Sequence, residues 1–297
     1  MRSILGDAGI VRSLVMLLSL RKYLLNGGKS YGPVCMSNSP IMMEILANSG
    51  YGHMIVDHEH APTDIASGQT LLQAIDIVRS TSSSNRPTCP IVRVPDHSPS
   101  YIKKVLDSMR LPGGVLVPMV DDKETAELVA AATKYPRQFH SDSSSAVDGI
   151  RGCAIPFVRA SGYGSNPNYM NESEEDLLVM VQVETARGVE AIPEISSVPG
   201  IDGIFIGPFD LSCSIGKAGQ FDDPEVKALI QKAERLVVES SGCFLAGFRS
   251  GGRNLREMYE MDGYSLVCGS IDLGLLKNAA LEDAQAANDV LHGDKKQ

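Results

Sequence analysis

The chain lacks the marks of several common chemistries. No two of its six cysteines form C-x-x-C, and none has the spacing of a zinc site. Cys35, Cys89, Cys153, Cys213, Cys243 and Cys268 lie partly inside apolar runs, so they read as buried free thiols in a reducing compartment. No G-x-G-x-x-G follows the first apolar run, which argues against a doubly wound dinucleotide-binding sheet. There is no excess of positive charge. A formal net charge of -9 excludes a broad nucleic-acid surface, and an anionic substrate would need a local cationic pocket. A run long enough to cross a bilayer is also missing. The apolar stretch in MRSILGDAGIVRSLVMLLSLRKYLL is about ten residues, too short to span, and no small-residue cleavage site follows it. We expect an amphipathic N-terminal helix that plugs or flanks the core, and a cytoplasmic protein. Arg2, Arg12 and Arg21 against Asp7 leave a mitochondrial presequence as the alternative.

What is present is apolar and periodic. With 43% apolar residues, 297 residues can bury one large core. Strand-like runs occur at 33–37, 53–57, 90–94, 114–118, 178–183, 202–207, 243–247 and 265–269. Several are apolar without alternation, as in parallel strands covered on both faces. Between them SPIMMEILANSG, SPSYIKKVLDSM, DKETAELVAAATKY and DPEVKALIQKAERLVVES each open on a capping residue or an acidic first turn, and read as helices. Eight alternations predict a (β/α)8 TIM barrel, one domain over residues 1–297. Residues 136–177 break the rhythm. We expect a flexible insert over 136–150, then a lid or subunit contact carrying Arg159, Tyr163 and Tyr169, and a disordered tail over 291–297.

In such a barrel the site forms at the C-terminal strand ends. Asp57 closes the second run, followed by His58, Glu59 and His60. Arg93 ends the third, Gln182 and Glu184 the fifth, and Asp210 follows the sixth across Gly207 and Pro208. Either acid alone could be a helix N-cap, but one mouth collecting acids, histidine and arginine is a site. Two carboxylates with substrate oxygens suit Mg²⁺ or Mn²⁺ rather than zinc, and the H-E-H run is not H-E-x-x-H. An arginine beside the metal suits capture of a substrate carboxylate. A metal and an arginine together would bind a 2-oxo acid and stabilise its enolate. None of the twelve lysines falls in a predicted strand, which disfavours an imine-forming aldolase. His53 and His97 read as structural.

DHEHAPTD, PIVRVPD, VLVPMVD, VQVETARGVE and GIDGIFIGPFDLSCSIG resemble the HpcH/HpaI aldolase family of metal-dependent pyruvate aldolases, over roughly residues 22–290. The resemblance implies that Glu184 and Asp210 ligate Mg²⁺ (or Mn²⁺ or Co²⁺) and that Gln182 lines the same pocket. It implies that Arg93 holds the pyruvate carboxylate and enolate, that His60 acts through water as acid/base, and that Asp107 orients His60. Asp57 would sit near the mouth, and the backbone at Gly207, Pro208 and Ser212 would touch substrate. The implied reaction is aldol cleavage of a 4-hydroxy-2-oxo acid, with oxaloacetate decarboxylation through the same enolate. Coupling that enolate to a 2-pyrone, or a catalytically impaired barrel, are the alternatives. The family also implies a homohexamer with C-terminal helices exchanged between subunits and some sites completed by a neighbour. The insert before GIRGCA and the long SMRLPGG turn after Asp107 depart from the family pattern, and the second could tilt Asp107 away from His60.

Overall fold

The computed structural model describes residues 19–82, 84, 87–136 and 147–292. Residues 1–18 of the expected N-terminal helix, 137–146 of the expected insert and 293–297 of the expected tail lie outside the described residues. The chain opens with α1 (Leu20–Leu25) and β1 (Ser30–Cys35), then α2 (Pro40–Asn48), β2 (His53–Asp57), α3 (Ile65–Thr81), β3 (Cys89–Arg93), α4 (Pro99–Ser108) and β4 (Gly113–Val117). It continues with α5 (Lys123–Thr133), α6 (Tyr169–Asp176), β5 (Leu177–Val183), α7 (Ala186–Ser196), β6 (Gly203–Ile206) and α8 (Pro208–Ser214). The last elements are α9 (Pro224–Ser240), β7 (Phe244–Phe248), α10 (Leu255–Glu260), β8 (Tyr264–Ile271) and α11 (Asp272–His292).

The eight strands close in sequence order into one parallel barrel, the predicted (β/α)8 architecture. Strand parity sorts the side chains. On β5, Leu178 and Met180 face the barrel interior while Val179, Val181 and Val183 face the helices. Both faces are apolar because both are covered, which is why alternation was absent from the sequence. The interior set includes Ile55, Ile91, Leu116, Phe205, Ala246 and Leu266. Leu20 and Leu24 of α1 join that cluster, so the described part of the N-terminal helix plugs the barrel. Arg21 fixes the plug by donating to Asp202 Oδ1 at 2.9 Å.

Helix starts follow their caps. Ser39, Asp64, Asp122, Thr185 and Asp223 each accept an amide of the first turn, whereas Ser98 before α4 makes no such bond. The eight strands carry no lysine. His53 is fully buried, its Nδ1 2.8 Å from Ser30 Oγ and its Nε2 3.5 Å from Cys268 Sγ, and burial pushes its pKa down to about 3. α11 is different in kind. Asp272 accepts the amides of Met36 and Ser37 and so pins its start to β1, but most of the helix is exposed, Leu276, Leu281 and Leu291 among its apolar positions. No helix of the described residues is long and apolar enough to cross a membrane.

Candidate active site

Parity also builds the mouth. On β2, His53 and Asp57 share the inward parity of Ile55, and Glu59 continues it; on β3 Arg93 continues Cys89 and Ile91; on β5 Gln182 and Glu184 continue Leu178 and Met180. Glu184 leaves the strand just as Thr185 turns the chain into α7, its side chain accepting the Gly188 amide at 3.0 Å. Asp210 arrives on the first turn of α8, begun by Pro208 at a position where a missing amide costs nothing.

Asp57 is fully buried and grips Arg93 with both oxygens. Arg93 Nε donates to Oδ1 at 2.8 Å and Nη2 to Oδ2 at 2.9 Å. The same carboxylate accepts the amides of Glu59 and His60 at 3.1 and 3.3 Å, so it shapes the loop as well. Arg93 Nη1 points at Glu59, 3.1 Å from Oε2, without the alignment of a hydrogen bond. Burial works to lower the arginine's pKa, but the bonds and charge of Asp57 raise it more, so it stays a cation.

Glu184 is 1% exposed. Its Oε1 accepts the Met119 amide at 2.9 Å and its Oε2 accepts from Gln182 Nε2. Met119 reaches it from a left-handed backbone, φ 54°, unusual for a side chain of that size. Burial lifts Glu184 to about 7; the two donors pull it down, and Glu59 and Asp210 push it up. Glu59 is likewise raised to about 7 by burial, Arg93 opposing and Asp57 and Asp210 adding to the rise. Three carboxylates thus feel one another at one mouth. Gln182 Oε1 is buried with no hydrogen-bond partner. A Cβ on Gly207 would fall 2.6 Å from Glu184 Oε2, so the glycine makes room for that carboxylate.

These features fit a hard divalent cation: desolvated, mutually repelling oxygens with an orphaned amide oxygen beside them. No group of three or more candidate ligands is preassembled among the described residues, so water or substrate oxygens would complete the shell.

The structure therefore gathers Asp57, Arg93, Gln182, Glu184, Asp210, Gly207 and Pro208. His60 is at the rim, 55% exposed, 3.6 Å from Glu59 Oε2. Two expectations need correction. Asp107 has no described contact with His60. It lies in the last turn of α4, which runs about 15 Å from the mouth toward the other face at 1.5 Å per residue. There it binds Arg151 Nη2 at 2.8 Å, in a buried cluster where Arg151 stacks on Tyr135 and reaches the Tyr169 hydroxyl at 2.9 Å. Ser212 is buried, its hydroxyl donating to Phe209 O and accepting the Gly219 amide, so its side chain ties α8 to the next loop. Nor is the segment with Arg159 a lid. Arg159 donates to Ser108 O at 2.7 Å and to Asp76 at 2.6 Å, at the far ends of α4 and α3. Ile150 and Arg151 donate their amides to the end of α5. A cavity of about 800 Å³ on that opposite face, lined by Lys29, Arg79 and Arg110, holds none of the mouth residues.

Sequence reasoning placed Glu59 at the mouth without giving it a role, and passed over Met119. For the role of Glu59 a signal existed, its position two residues beyond Asp57 on the inward parity. For Met119 there was none, since its backbone supplies the contact.

A closed eight-stranded barrel with a clamped arginine among carboxylates at the C-terminal mouth defines the class: a (β/α)8 barrel whose charged mouth is its candidate active site. Comparison with known proteins adds the family. The profile of the HpcH/HpaI aldolase/citrate lyase family matches residues 34–277, and the chain belongs to that family as a carbon–carbon lyase of the aldolase kind. It is 33% identical over 261 residues to a hydroxypyruvate/pyruvate aldolase of Chromohalobacter salexigens, covering 88% of this chain and 94% of the relative. It is 34% identical over 243 residues to a 4-hydroxy-2-oxo-heptane-1,7-dioate aldolase of Escherichia coli, covering 82% and 84%. A family protein from Burkholderia cenocepacia superposes with a TM-score of 0.80 at 29% identity, covering 91% and 98%. Macrophomate synthase shares the fold, with a TM-score of 0.72 at 20% identity and 93% of each chain covered.

Proposed function

We propose that the chain is a divalent-metal-dependent pyruvate aldolase that cleaves 4-hydroxy-2-oxo acids to pyruvate and an aldehyde, and reaches the same enolate by decarboxylating oxaloacetate. The names of its relatives support the aldol half of this reading. The observation that carries it is the placement of Glu184, buried at a mouth shared with Glu59, Asp210 and the clamped Arg93. Glu184 and Asp210 would hold Mg²⁺ (or Mn²⁺ or Co²⁺), with Gln182 beside it. Bound there, the metal supplies a Lewis acid for a 2-oxo acid.

The rest falls to the chain itself. Arg93, preset by Asp57, binds the carboxylate of the 2-oxo acid and offsets the negative charge that develops as the enolate forms. Because Asp57 already occupies Nε and Nη2, Nη1, which is 3.1 Å from Glu59 Oε2 without a hydrogen bond to it, is the donor left for substrate. His60, open to solvent, passes the proton of the 4-hydroxyl through a water. Gly207 and Pro208 present backbone without bulk beneath the reacting atoms. Asp107, distant from its own His60, serves the site of a neighbouring copy in a homohexamer, and the apolar positions of α11 pack on that neighbour.

The test is metal removal and restoration. Oxaloacetate decarboxylation and aldol cleavage should vanish in EDTA and return with Mg²⁺ or Mn²⁺. Glu184→Gln and Asp210→Asn should each abolish both activities and calorimetric metal binding. Full turnover in EDTA refutes the reading.

A further inference from the structure

Aldol cleavage needs a proton moved at each end of the broken bond. The 4-hydroxyl loses one as C3 and C4 part, and C3 of the enolate gains one to become the methyl of pyruvate. His60 serves the first transfer. The second has no carrier yet.

The mouth offers few groups for it. Asp57 has both oxygens committed to Arg93 and to the loop amides. Glu184 accepts from Met119 through one oxygen and from Gln182 through the other, and with Asp210 it is assigned to the cation. His58 turns away from the mouth: its Nδ1 lies 3.1 Å from the Tyr101 hydroxyl of α4, and its ring lies against Gly68 of α3. The strands carry no lysine. Glu59 remains. Its side chain is 14% exposed, and its Oε2 is buried with no hydrogen-bond partner. Arg93 Nη1 stands 3.1 Å from that oxygen and His60 Nε2 3.6 Å. Buried polar side-chain atoms are nearly always satisfied, so an oxygen left open between the two groups that handle substrate calls for a role. Burial also lifts the Glu59 pKa to about 7, with Arg93 opposing, which suits a group that takes and gives protons near neutrality.

We infer that Glu59 carries the proton to and from C3, as the last member of a relay that runs from the 4-hydroxyl through His60. The inference rests on the aldolase reading above. Nη1 is the nitrogen left for the carboxylate of the 2-oxo acid, and C3 is separated from that carboxylate only by the keto carbon. A substrate held on Nη1 thus has C3 on the side of Glu59. In cleavage the C3–C4 pair becomes the enolate double bond, the 4-oxygen becomes the aldehyde carbonyl, and its proton passes to His60. His60 gives a proton from Nε2 to Glu59 Oε2, across a gap that a small turn of either side chain closes. Oε2 then gives it to C3: the enolate π pair forms the new C–H bond, and the C2 oxygen returns to a carbonyl. One proton has moved from the 4-oxygen to C3, and none is gained or lost overall. Arg93 offsets the charge on Glu59 whenever its proton is away.

The test uses the full-length enzyme with saturating Mg²⁺ and two readouts from one preparation. The first is deuterium uptake into the pyruvate methyl in D₂O. The second is CO₂ release from oxaloacetate, which forms the enolate without taking a proton from C3. Glu59→Gln keeps the size of the side chain and removes its proton site. The ratio of uptake to CO₂ release should fall about 100-fold or more, the scale of a lost general acid or base. A merely structural role would depress both readouts together and keep the ratio, and that result overturns the inference, as does unchanged uptake. His60→Asn should change the balance the other way, raising the ratio of uptake to aldol cleavage. A wild-type measurement stands apart from any folding defect. Cleavage of a 4-hydroxy-2-oxo acid stereospecifically deuterated at C3, run in tritiated water, should give a pyruvate methyl of one hand. A racemic methyl overturns the inference, because it shows that the enolate meets its proton in free solution. Wild-type uptake that Glu59→Gln leaves intact refutes this inference alone. No uptake by the wild type refutes the aldolase reading and this inference with it.

Discussion

Asp57 is the residue through which stability and catalysis are most directly linked. Its carboxylate takes two charged hydrogen bonds from Arg93 and two amides from the loop that carries Glu59 and His60. Asp57→Asn keeps the shape but removes the charge and turns one oxygen into a donor facing Nη2. Hydrogen bonds to charged groups are worth about 1.5–3 kcal/mol each, and breaking one partner of a buried pair costs about 3–5 kcal/mol. With Asp57 fully buried and Arg93 only 14% exposed, the lower half of that range applies, about 3 kcal/mol. In a chain of this size that corresponds to a fall in Tm of roughly 6–12 °C. The freed guanidinium also loses its aim, and a misplacement of about 1 Å costs about 100-fold in rate. The assay pairs thermal unfolding with deuterium exchange into the pyruvate methyl. A double-mutant cycle with Arg93→Lys should show a coupling above about 1.5 kcal/mol. A variant that melts within 2 °C of wild type (about 0.5 kcal/mol) and exchanges deuterium within about threefold (under 1 kcal/mol) would show that Asp57 does not set Arg93.

Three further outcomes follow from the same geometry. Glu59 and Glu184, both raised to about 7, hold protons that a cation must displace, so metal affinity should fall as pH drops below about 7, by about tenfold per unit for one proton; titration calorimetry at pH 8 and pH 6 checks this. His53, held down to about 3, takes a proton below pH 6.5 in the unfolded chain but not in the folded one, so it contributes stability that is lost as pH falls from 6.5 toward 3. That loss is about 2 kcal/mol at pH 5, and urea unfolding of His53→Gln at pH 8 and pH 5 should lack it. If Asp107 serves a neighbour, His60→Asn and Asp107→Asn, each inactive alone, should regain part of the activity when dissociated and reassembled together; no recovery in confirmed mixed oligomers would refute that assignment.

How much was legible in the sequence follows from what each residue's role depends on. Seven of the eight strands fell within a residue or two of their predicted spans because runs apolar on both faces have few other uses. β1 began three residues early, since Ser30, Tyr31 and Gly32 do not look like a buried run. There Gly32 admits the His53 carbonyl, 1.9 Å from where a Cβ would stand. Acids at strand ends were legible because parity and the strand terminus fix them together. Asp107 was misplaced because a motif conveys no distance, and ten residues of α4 lead away from the mouth. The segment carrying Arg159 looked like a lid by its length; its two arginine anchors, Ser108 O and Asp76, are contacts between positions remote in sequence. Glu59 was in plain view between two histidines, but its burial and its neighbours belong to the assembled barrel.

The plug formed by α1 gives the molecule a single door. Leu20 and Leu24 fill one end, and the packed interior from Ile91 to Leu266 leaves no passage to it. Whatever the enzyme splits must leave by the way it came in. The fragment gripped by Arg93 and the carboxylates would wait while the aldehyde departs. The direction of release, and with it the order of binding in reverse, is then set by the closed end of the barrel as much as by the chemistry at the open one.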